Sequence, residues 1–476
     1  MIDLGHMRLL CPSKGERDIF FASPPPLRVP ARGKPRDRRR DREGGMPAGS
    51  PVSELDTCFR TGDERRTLAD ALTRFNAGLG PIAGTERVKT RDALGRILAE
   101  DLISPRDIPP HDNSAVDGYA VWFDDLLPGK ETRLPVAARI AAGHPHAEPI
   151  ARGAAVQIFT GAPMPKGIED AGPDTVFMVE DCRVDGGSVI VPPGIKRGAN
   201  RRSAGEDVRT GAAVLHAGTR LRPQDIGMAA AMGFAEIPVY RPLRVAIFST
   251  GDEVREPGTA LPPGGIFDTN RYALIGMLER LGCVVTDLGI FADKVEPIRM
   301  AIAQAARTHD VVLTSGGVSQ GEEDHVRGAI DALGAVHFWN LAIKPGRPIA
   351  LGHIATDARK APFIGLPGNP VAVMVTFLMI ARPILLLLAG ARDSEPHAFK
   401  VVAGFDYKKK PGRREWLRAS LVRTDGVLVA DKFPEEGSGI LSSMVAAAGL
   451  VELAEDSAGV ARGDLVDFLP FSGLMG

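Results

Sequence analysis

The densest chemistry in this sequence lies in five short polar stretches between residues 249 and 370. Thr314 to Asp324 reads TSGGVSQGEED. Gly316 and Gly317 let the backbone turn sharply and approach a ligand closely. The N–H groups of that turn, with the Ser315 and Ser319 hydroxyls, suit a phosphate or a similar oxyanion. Glu322, Glu323 and Asp324 follow at once. One acid in a first helical turn is ordinary and contributes about 0.3–1 kcal/mol through the helix dipole. Three beside an anion cradle make better sense with a Mg²⁺ between them and the anion.

The other four stretches repeat the theme. STGDE (Ser249 to Glu253) offers a hydroxyl, a turn glycine and two acids, and is half explained as a helix-start pattern. FADK (Phe291 to Lys294) adds Asp293. KPGRP (Lys344 to Pro348) presents Lys344 and Arg347 on a loop stiffened by prolines. GLPGNP (Gly365 to Pro370) carries Pro367, Gly368, Asn369 and Pro370, with Asn369 placed as a helix cap and Pro370 in the first turn. Upstream, DNSAVDGYAV (Asp112 to Val121) gathers two carboxylates, an amide and a hydroxyl before a strand; a polar turn explains it equally well. FTGAPMP (Phe159 to Pro165) and RRSAGEDV (Arg201 to Val208) are similar islands.

Alternating elements must position the five stretches. RVAIFSTG, CVVTDLGIF, DVVLTSGG, AVHFWNLAI, IALGHI and APFIGLPG read as strands. NRYALIGMLERLG, EPIRMAIAQAART and EDHVRGAIDALG read as helices, and a long apolar helix follows Asn369. That alternation predicts a parallel sheet covered on both faces. In such sheets ligands bind beyond the carboxyl ends of the strands, so all five stretches fall on one rim. Short β pieces from Pro135 to Pro193 predict a β-rich insert between helical segments at LADALTRFNAGLG and LRPQDIGMAAAMG. A final all-β segment begins near His397.

Composition excludes several classes. The chain has 476 residues, with 58 Lys+Arg against 59 Asp+Glu, and aromatics make up 5%. That leaves no global field and few stacking platforms for nucleic acid. The four cysteines form no C-x-x-C pair, so reduced cytosolic thiols are expected rather than a thiolate zinc site. The run Val371 to Ala391 is long enough to span a bilayer but holds Arg382 and Pro383, and a buried core helix is the better reading. No signal-peptide pattern opens the chain. Pro24-Pro25-Pro26 and ARGKPRDRRRDREGG predict disorder before about residue 62; a basic binding arm, or a start at Met46, are the alternatives. The 54 Gly and 38 Pro, nearly a fifth of the residues against about 12% in average proteins, suggest ordered turns and functional loops.

Together, DNSAVDGYA, FTGAPMP, RRSAGED, STGDE, TSGGVSQGEED, KPGRP and GLPGNP, in this order from about Thr67 onward, resemble the MoeA family of molybdopterin molybdenumtransferases, to which the gephyrin E domain is similar. The resemblance implies a multidomain α/β plus β fold: a three-layer parallel-sheet, MogA-like domain (239–396), an inserted β-rich domain (104–200), a discontinuous helical linker domain (63–103 and 201–238) and a C-terminal β-barrel-like domain (397–476), after an N-terminal extension (1–62). It implies a cytoplasmic homodimer, with each active site between the α/β domain of one subunit and the insert of the other, and transient contact with a molybdopterin adenylyltransferase. Neither nucleic acid nor membrane is expected as a partner. The implied reaction inserts molybdate into adenylylated molybdopterin with release of AMP and a requirement for Mg²⁺.

By motif position, Asp117, Thr160, Glu253, Asp293 and Asp324 are the implied catalytic residues, with Glu253, Asp293 and Asp324 as metal ligands. Ser315, Gly316, Gly317, Ser319, Lys344, Arg347, Pro367, Gly368, Asn369 and Pro370 are the expected binding residues. Asn340 is a departure, standing where the family often has Lys. An adenylyltransferase-like enzyme and a non-catalytic scaffold are the rival readings.

Overall fold

The computed structural model describes residues 58–60, 66–169, 171–292, 294–317 and 325–475. Its centre is a six-stranded sheet of β1 (Arg244–Thr250), β2 (Val284–Phe291), β3 (Val311–Ser315), β4 (Gly334–Asn340), β5 (Pro348–Ala355) and β6 (Lys360–Leu366), in the order β2-β1-β3-β6-β5-β4. Strand alternation sorts the side chains into two cores. Val245, Ile247, Val311, Leu313 and Ile364 pack on one face with Leu274 and Leu278, while Ala246, Phe248, Val312 and Phe363 pack on the other with Ile298 and Ile302. Of the helices, α1 (Asn270–Leu281) and α4 (Pro370–Leu388) cover the first face, and α2 (Val295–Thr308) and α3 (His325–Asp331) the second. Three layers result, as expected.

The sheet is not parallel throughout. β2, β1, β3 and β6 run parallel, but β5 is antiparallel to both β6 and β4. The reason lies in the connections: no helix separates β4, β5 and β6, and a short link joins only antiparallel neighbours. One consequence helps the site. The start of β5, where KPGRP lies, comes to the same rim as the carboxyl ends of the four parallel strands.

Helix α4 is buried within the protein, as its internal Arg382 and Pro383 predict. A π segment, Phe377–Ala381, immediately precedes Arg382. A proline in an α-helix loses one hydrogen bond and clashes with the carbonyl four residues back, here that of Met379, and the wider turn accommodates it. The Arg382 guanidinium donates to the Ser394 carbonyl at 3.0 Å. Leu385 and Leu388 are fully buried, each contributing about 1.5–3 kcal/mol.

Around this centre lie three further assemblies. Residues 66–103 and 205–240 come together through antiparallel pairing of Thr85–Lys89 with Glu236–Tyr240 and of Leu102–Ile103 with Ala213–Leu215. Between them in sequence, six strands from Gly118 to Val191 form the β-rich sheet. At the end of the chain Arg414–Thr424, Val427–Lys432, Phe399–Ala403, Leu465–Pro470 and Gly449–Leu453 pair in a closed ring. Closure removes the free edges of the sheet. The short strand Ile343–Lys344 pairs in parallel with Arg414–Glu415 on its outside, opposing Lys344 to Glu415. Among the described residues Cys58, Cys182 and Cys283 form no disulfide. Burial pushes Cys283 up to about 12 and Cys182 up to about 11, which leaves both as inert thiols.

At the rim opposite the five polar stretches, Asp310 ties three strands together. It accepts from the backbone N–H and guanidinium of Arg244 at 2.9 and 3.0 Å and from Arg359 at 2.9 Å. Burial alone would raise its pKa, but the hydrogen bonds from Arg244 and Arg359 outweigh it and hold the carboxyl below its ordinary value. A lowered carboxyl stabilises the fold above the unfolded value of about 3.9, and the contribution is lost as pH falls through the lower folded value. Denaturant unfolding should therefore show stability falling below about pH 4, with a flatter acid limb in Asp310→Asn. Equal acid slopes would contradict this.

Candidate functional site

Four of the five polar stretches line one cavity of about 1100 Å³. STGDE contributes Ser249, Thr250, Gly251 and Glu253, and the β3 loop Ser315, Gly316 and Gly317. KPGRP contributes Lys344 to Pro348, and the loop after β6 contributes Pro367 to Pro370. Of FADK, the described residues Phe291, Ala292 and Lys294 are absent from its walls. Asp293, Ser319 and Asp324 lie outside the described residues.

The loops are held in register by Asn270, the first residue of α1, which the sequence reading passed over. Its Nδ2 donates to Ser315 Oγ at 2.9 Å and to the Gly368 carbonyl at 2.7 Å. Ser315 Oγ in turn donates to the Pro367 carbonyl at 3.4 Å, and the Gly316 N–H to the Leu366 carbonyl at 3.1 Å. One residue further on, Arg271 is 1% exposed and bound by Asp268 at 2.9 Å, by Asp287 and by Glu256. Burial opposes its charge, but the three carboxylates more than compensate and raise its pKa. The result is a rigid wall: Asp268, Thr269 and Asn270 all line the cavity.

Gly317 shows why the turn needs glycine. Its φ is +65°, and an added Cβ would lie 2.4 Å from Val326 Cγ2 and 2.8 Å from Thr250 Oγ1. Asn369 occupies the cap position of α4 as expected, yet its side chain makes no capping hydrogen bond, so its amide is available to the cavity.

The opposite wall comes from the C-terminal barrel, which the sequence reading did not connect to the site. Glu415, Trp416, Leu417, Arg418, Glu436 and Ser438 face the same space. Arg418 is 5% exposed. It donates to Ser443 Oγ at 3.0 Å and to the carbonyls of Glu435 and Gly437 at 2.9 and 3.3 Å. With hydroxyl and carbonyl partners only, burial lowers its pKa, partly countered by Glu436 and Tyr407. A desolvated cation beside a cavity favours an anion there. No local pattern in EWLRASLVR marks Arg418 out beyond a charge on an alternating strand.

Lys344, expected as a binding residue, lines the cavity and is also paired within the protein. Its Nζ donates to the Tyr407 hydroxyl at 3.0 Å and to Glu415 and Glu436 at 3.3 Å each. Burial works against its charge, but these partners outweigh it and raise its pKa. Arg347 is exposed at the mouth.

Glu253 is the one expected metal ligand that is described, and it is exposed to the cavity. Its carboxylate folds back over Gly251, where an added Cβ would lie 2.7 Å from Oε2. Among the described residues no three His, Cys, Asp or Glu side chains group as a metal site. A single carboxylate on the cavity wall fits the one or two that Mg²⁺ takes before substrate phosphates and water complete its shell.

Asp117 and Thr160 meet, but elsewhere. The Thr160 backbone N–H and hydroxyl both donate to Asp117 Oδ1, at 2.8 and 2.7 Å, and these bonds lower the Asp117 pKa. Both residues are exposed on the β-rich insert and neither lines the cavity of their own chain. The polar islands around them converge: Arg201–Arg202 pairs with Asn113–Ser114, the Gly161 N–H donates to the Ser114 carbonyl at 2.8 Å, and Arg201 bonds Asp112.

The cavity is Gly-rich, lies at the carboxyl edge of an α/β sheet, is closed by a barrel, and carries Lys344, Arg347 and Arg418 beside Glu253, Asp268, Glu415 and Glu436, a lining suited to a charged substrate. The MoeA N-terminal region (domain I and II) matches residues 66–233, a molybdopterin-binding domain matches 246–386, and the MoeA C-terminal region (domain IV) matches 400–471. A molybdopterin molybdenumtransferase of Haemophilus influenzae is 38% identical over 413 residues, spanning 86% of this chain and all of that protein. Molybdopterin molybdenumtransferase 2 of Mycobacterium tuberculosis is 35% identical, over 79% of this chain and 92% of that one. The crystal structure of a molybdopterin biosynthesis moeA protein from Pyrococcus horikoshii OT3 superposes with a TM-score of 0.72 at 30% identity, covering 86% of this chain and 100% of that one. The chain belongs to the MoeA family.

Gly346 offers a test of the cavity wall. Its φ is +90°, and an added Cβ would lie 2.5 Å from Thr376 Cγ2, whereas Gly258, at +87°, has open space around it. Both Gly→Ala variants carry the left-handed cost of about 1 kcal/mol. Gly346→Ala should lose a further 1–3 kcal/mol or so from overpacking. Equal losses in urea unfolding would contradict the packing described.

Proposed function

We infer that the chain is a molybdopterin molybdenumtransferase, which inserts molybdate into adenylylated molybdopterin and releases AMP. The observation that carries this reading is the convergence of the Gly316–Gly317 turn, Lys344, Arg347, Arg418 and Glu253 on one cavity large enough for a nucleotide-linked substrate.

The roles follow from the chemistry of each group. The N–H groups of the β3 turn and the loop after β6 bind phosphate oxygens without a side chain in the way. Asn270 fixes the spacing between those two loops. Arg418, Arg347 and Lys344 attract the molybdate dianion and hold it near the dithiolene, while Ser438 and the Asn369 amide offer neutral donors. As water attacks phosphorus and the phosphoanhydride breaks, its proton passes to solvent and AMP leaves with new negative charge on its phosphate, and preorganised donors on that side lower the barrier. Glu253 would hold Mg²⁺ together with the substrate phosphates, and we assign Asp293 and Asp324 the same task; the ion supplies neutralisation of phosphate charge. Ser315, Gly316, Gly317, Ser319, Pro367, Gly368 and Pro370 shape the binding loops.

The Asp117–Thr160 pair acts in trans in this reading. It is exposed and outside its own chain's cavity, as a residue completing the site of a second subunit would be. A homodimer with shared sites is therefore part of the proposal, as are a cytoplasmic location and transient contact with the adenylyltransferase that supplies the substrate.

Two experiments test these assignments. Incubation with adenylylated molybdopterin, Mg²⁺ and molybdate should release AMP, and Glu253→Gln should slow that release about 10²–10³-fold with an unchanged unfolding midpoint. Full activity in a folded Glu253→Gln protein would exclude the metal and phosphate role. In the second, Asp117→Asn and Glu253→Gln proteins, each inactive alone, are mixed and allowed to exchange subunits. One intact site per mixed dimer should restore activity; no recovery despite demonstrated exchange would refute a site shared between subunits.

A further inference from the structure

Lys344 lines the cavity, yet its ammonium is already fully engaged. An ammonium has three donors, and here they meet the Tyr407 hydroxyl, Glu415 and Glu436. An incoming oxyanion can bond Lys344 only if one partner gives way. The three are not equally held.

Glu415 cannot leave. Its side chain is 1% exposed, and it also accepts from Arg413 at 2.7 Å and from Tyr407 at 2.8 Å. Leaving it without Lys344 is tolerable because those two bonds remain, but moving it would strip a buried carboxylate of partners. Tyr407 is tied to that same carboxylate. Glu436 differs: its side chain is 45% exposed, and it sits on the loop between two barrel strands. Apart from Lys344, its near contacts are Tyr407 OH at 3.4 Å and Lys432 at 3.7 Å. Swinging into water costs it little, since half-exposed ion pairs are worth about 0.2–1 kcal/mol.

We propose that Glu436 sets the affinity of the cavity for its oxyanion, acting as an internal carboxylate that occupies Lys344 until the dianion displaces it. The proposal rests on the reading of this cavity as an oxyanion site. Its consequence is a built-in selectivity for charge. A dianion that also meets Arg418 and Arg347 outcompetes one carboxylate at Lys344, whereas a singly charged or neutral solute does not. Between turnovers the same carboxylate keeps Lys344 paired and oriented toward the cavity, so no buried-side rearrangement is needed when substrate enters.

The test is equilibrium dialysis of molybdate against the full-length protein in four forms: wild type, Glu436→Gln, Lys344→Gln and the double variant, each checked for an unchanged thermal midpoint. Glu436→Gln should bind molybdate about five-fold more tightly, the equivalent of a half-exposed ion pair no longer competing. Lys344→Gln should weaken binding, and adding Glu436→Gln to it should change nothing further. Unchanged or weaker binding by Glu436→Gln, with Lys344→Gln still defective, overturns the role of Glu436 while leaving the oxyanion site intact. The same gain in both backgrounds also overturns it, since the effect would then be general charge and not competition at Lys344. No effect of Lys344→Gln on molybdate overturns the oxyanion reading of this corner, and the proposal with it.

Discussion

One amide holds the rim of this sheet together. Asn270 Nδ2 spends both its hydrogens on separate loops, one following β3 and one following β6. Each of those loops is Gly-rich and would otherwise be free to choose among many backbone states. Bound to a common donor on a helix start, they present their N–H groups at a fixed spacing. The donor is itself immobilised, because the adjacent buried Arg271 is locked to the buried Asp268 and to the solvent-facing Asp287 and Glu256. Order thus passes from an ion network around a buried arginine to one amide, and from the amide to the two Gly-rich loops.

The second constraint is the seam between sheet and barrel. Ile343–Lys344 belongs in sequence to the α/β segment but pairs with a barrel strand. The KPGRP loop is therefore anchored on both sides, and the barrel contributes Glu415, Arg418 and Glu436 to the cavity's charged lining. The near-zero net charge of the chain conceals this arrangement. Cations and acids share one space: Lys344 is paired with Glu415 and Glu436, while Arg418 bonds only hydroxyl and carbonyl oxygens.

The sequence revealed the alternation of strands and helices almost element by element, because apolar periodicity and Gly or Pro stops mark buried strands and helix ends clearly. It also located the loops, since Gly316, Gly317 and Gly346 stand directly after apolar strand patterns, where composition alone suggested only loops. Two things were hidden. The antiparallel turn of β5 depends on connection length, which the strand pattern shows only when the missing helices are counted. Arg418, Ser438, Glu436 and Asn270 are distant in sequence from the motifs they serve, and they enter the site only through barrel closure and helix packing. The Asp117–Thr160 hydrogen bonds unite two motifs that were read separately, and both lie away from the cavity of their own chain.

The most direct measurement is a single turnover. The protein is loaded with adenylylated molybdopterin, molybdate is added, and released AMP is counted against molybdenum transferred to the pterin. Wild type should give the two in equal amounts. Folded Asn270→Ala should lose both together, because the two loops proposed to hold phosphate and molybdate are bonded to the same amide. AMP released without molybdenum transfer, or undiminished turnover in Asn270→Ala, would contradict the account.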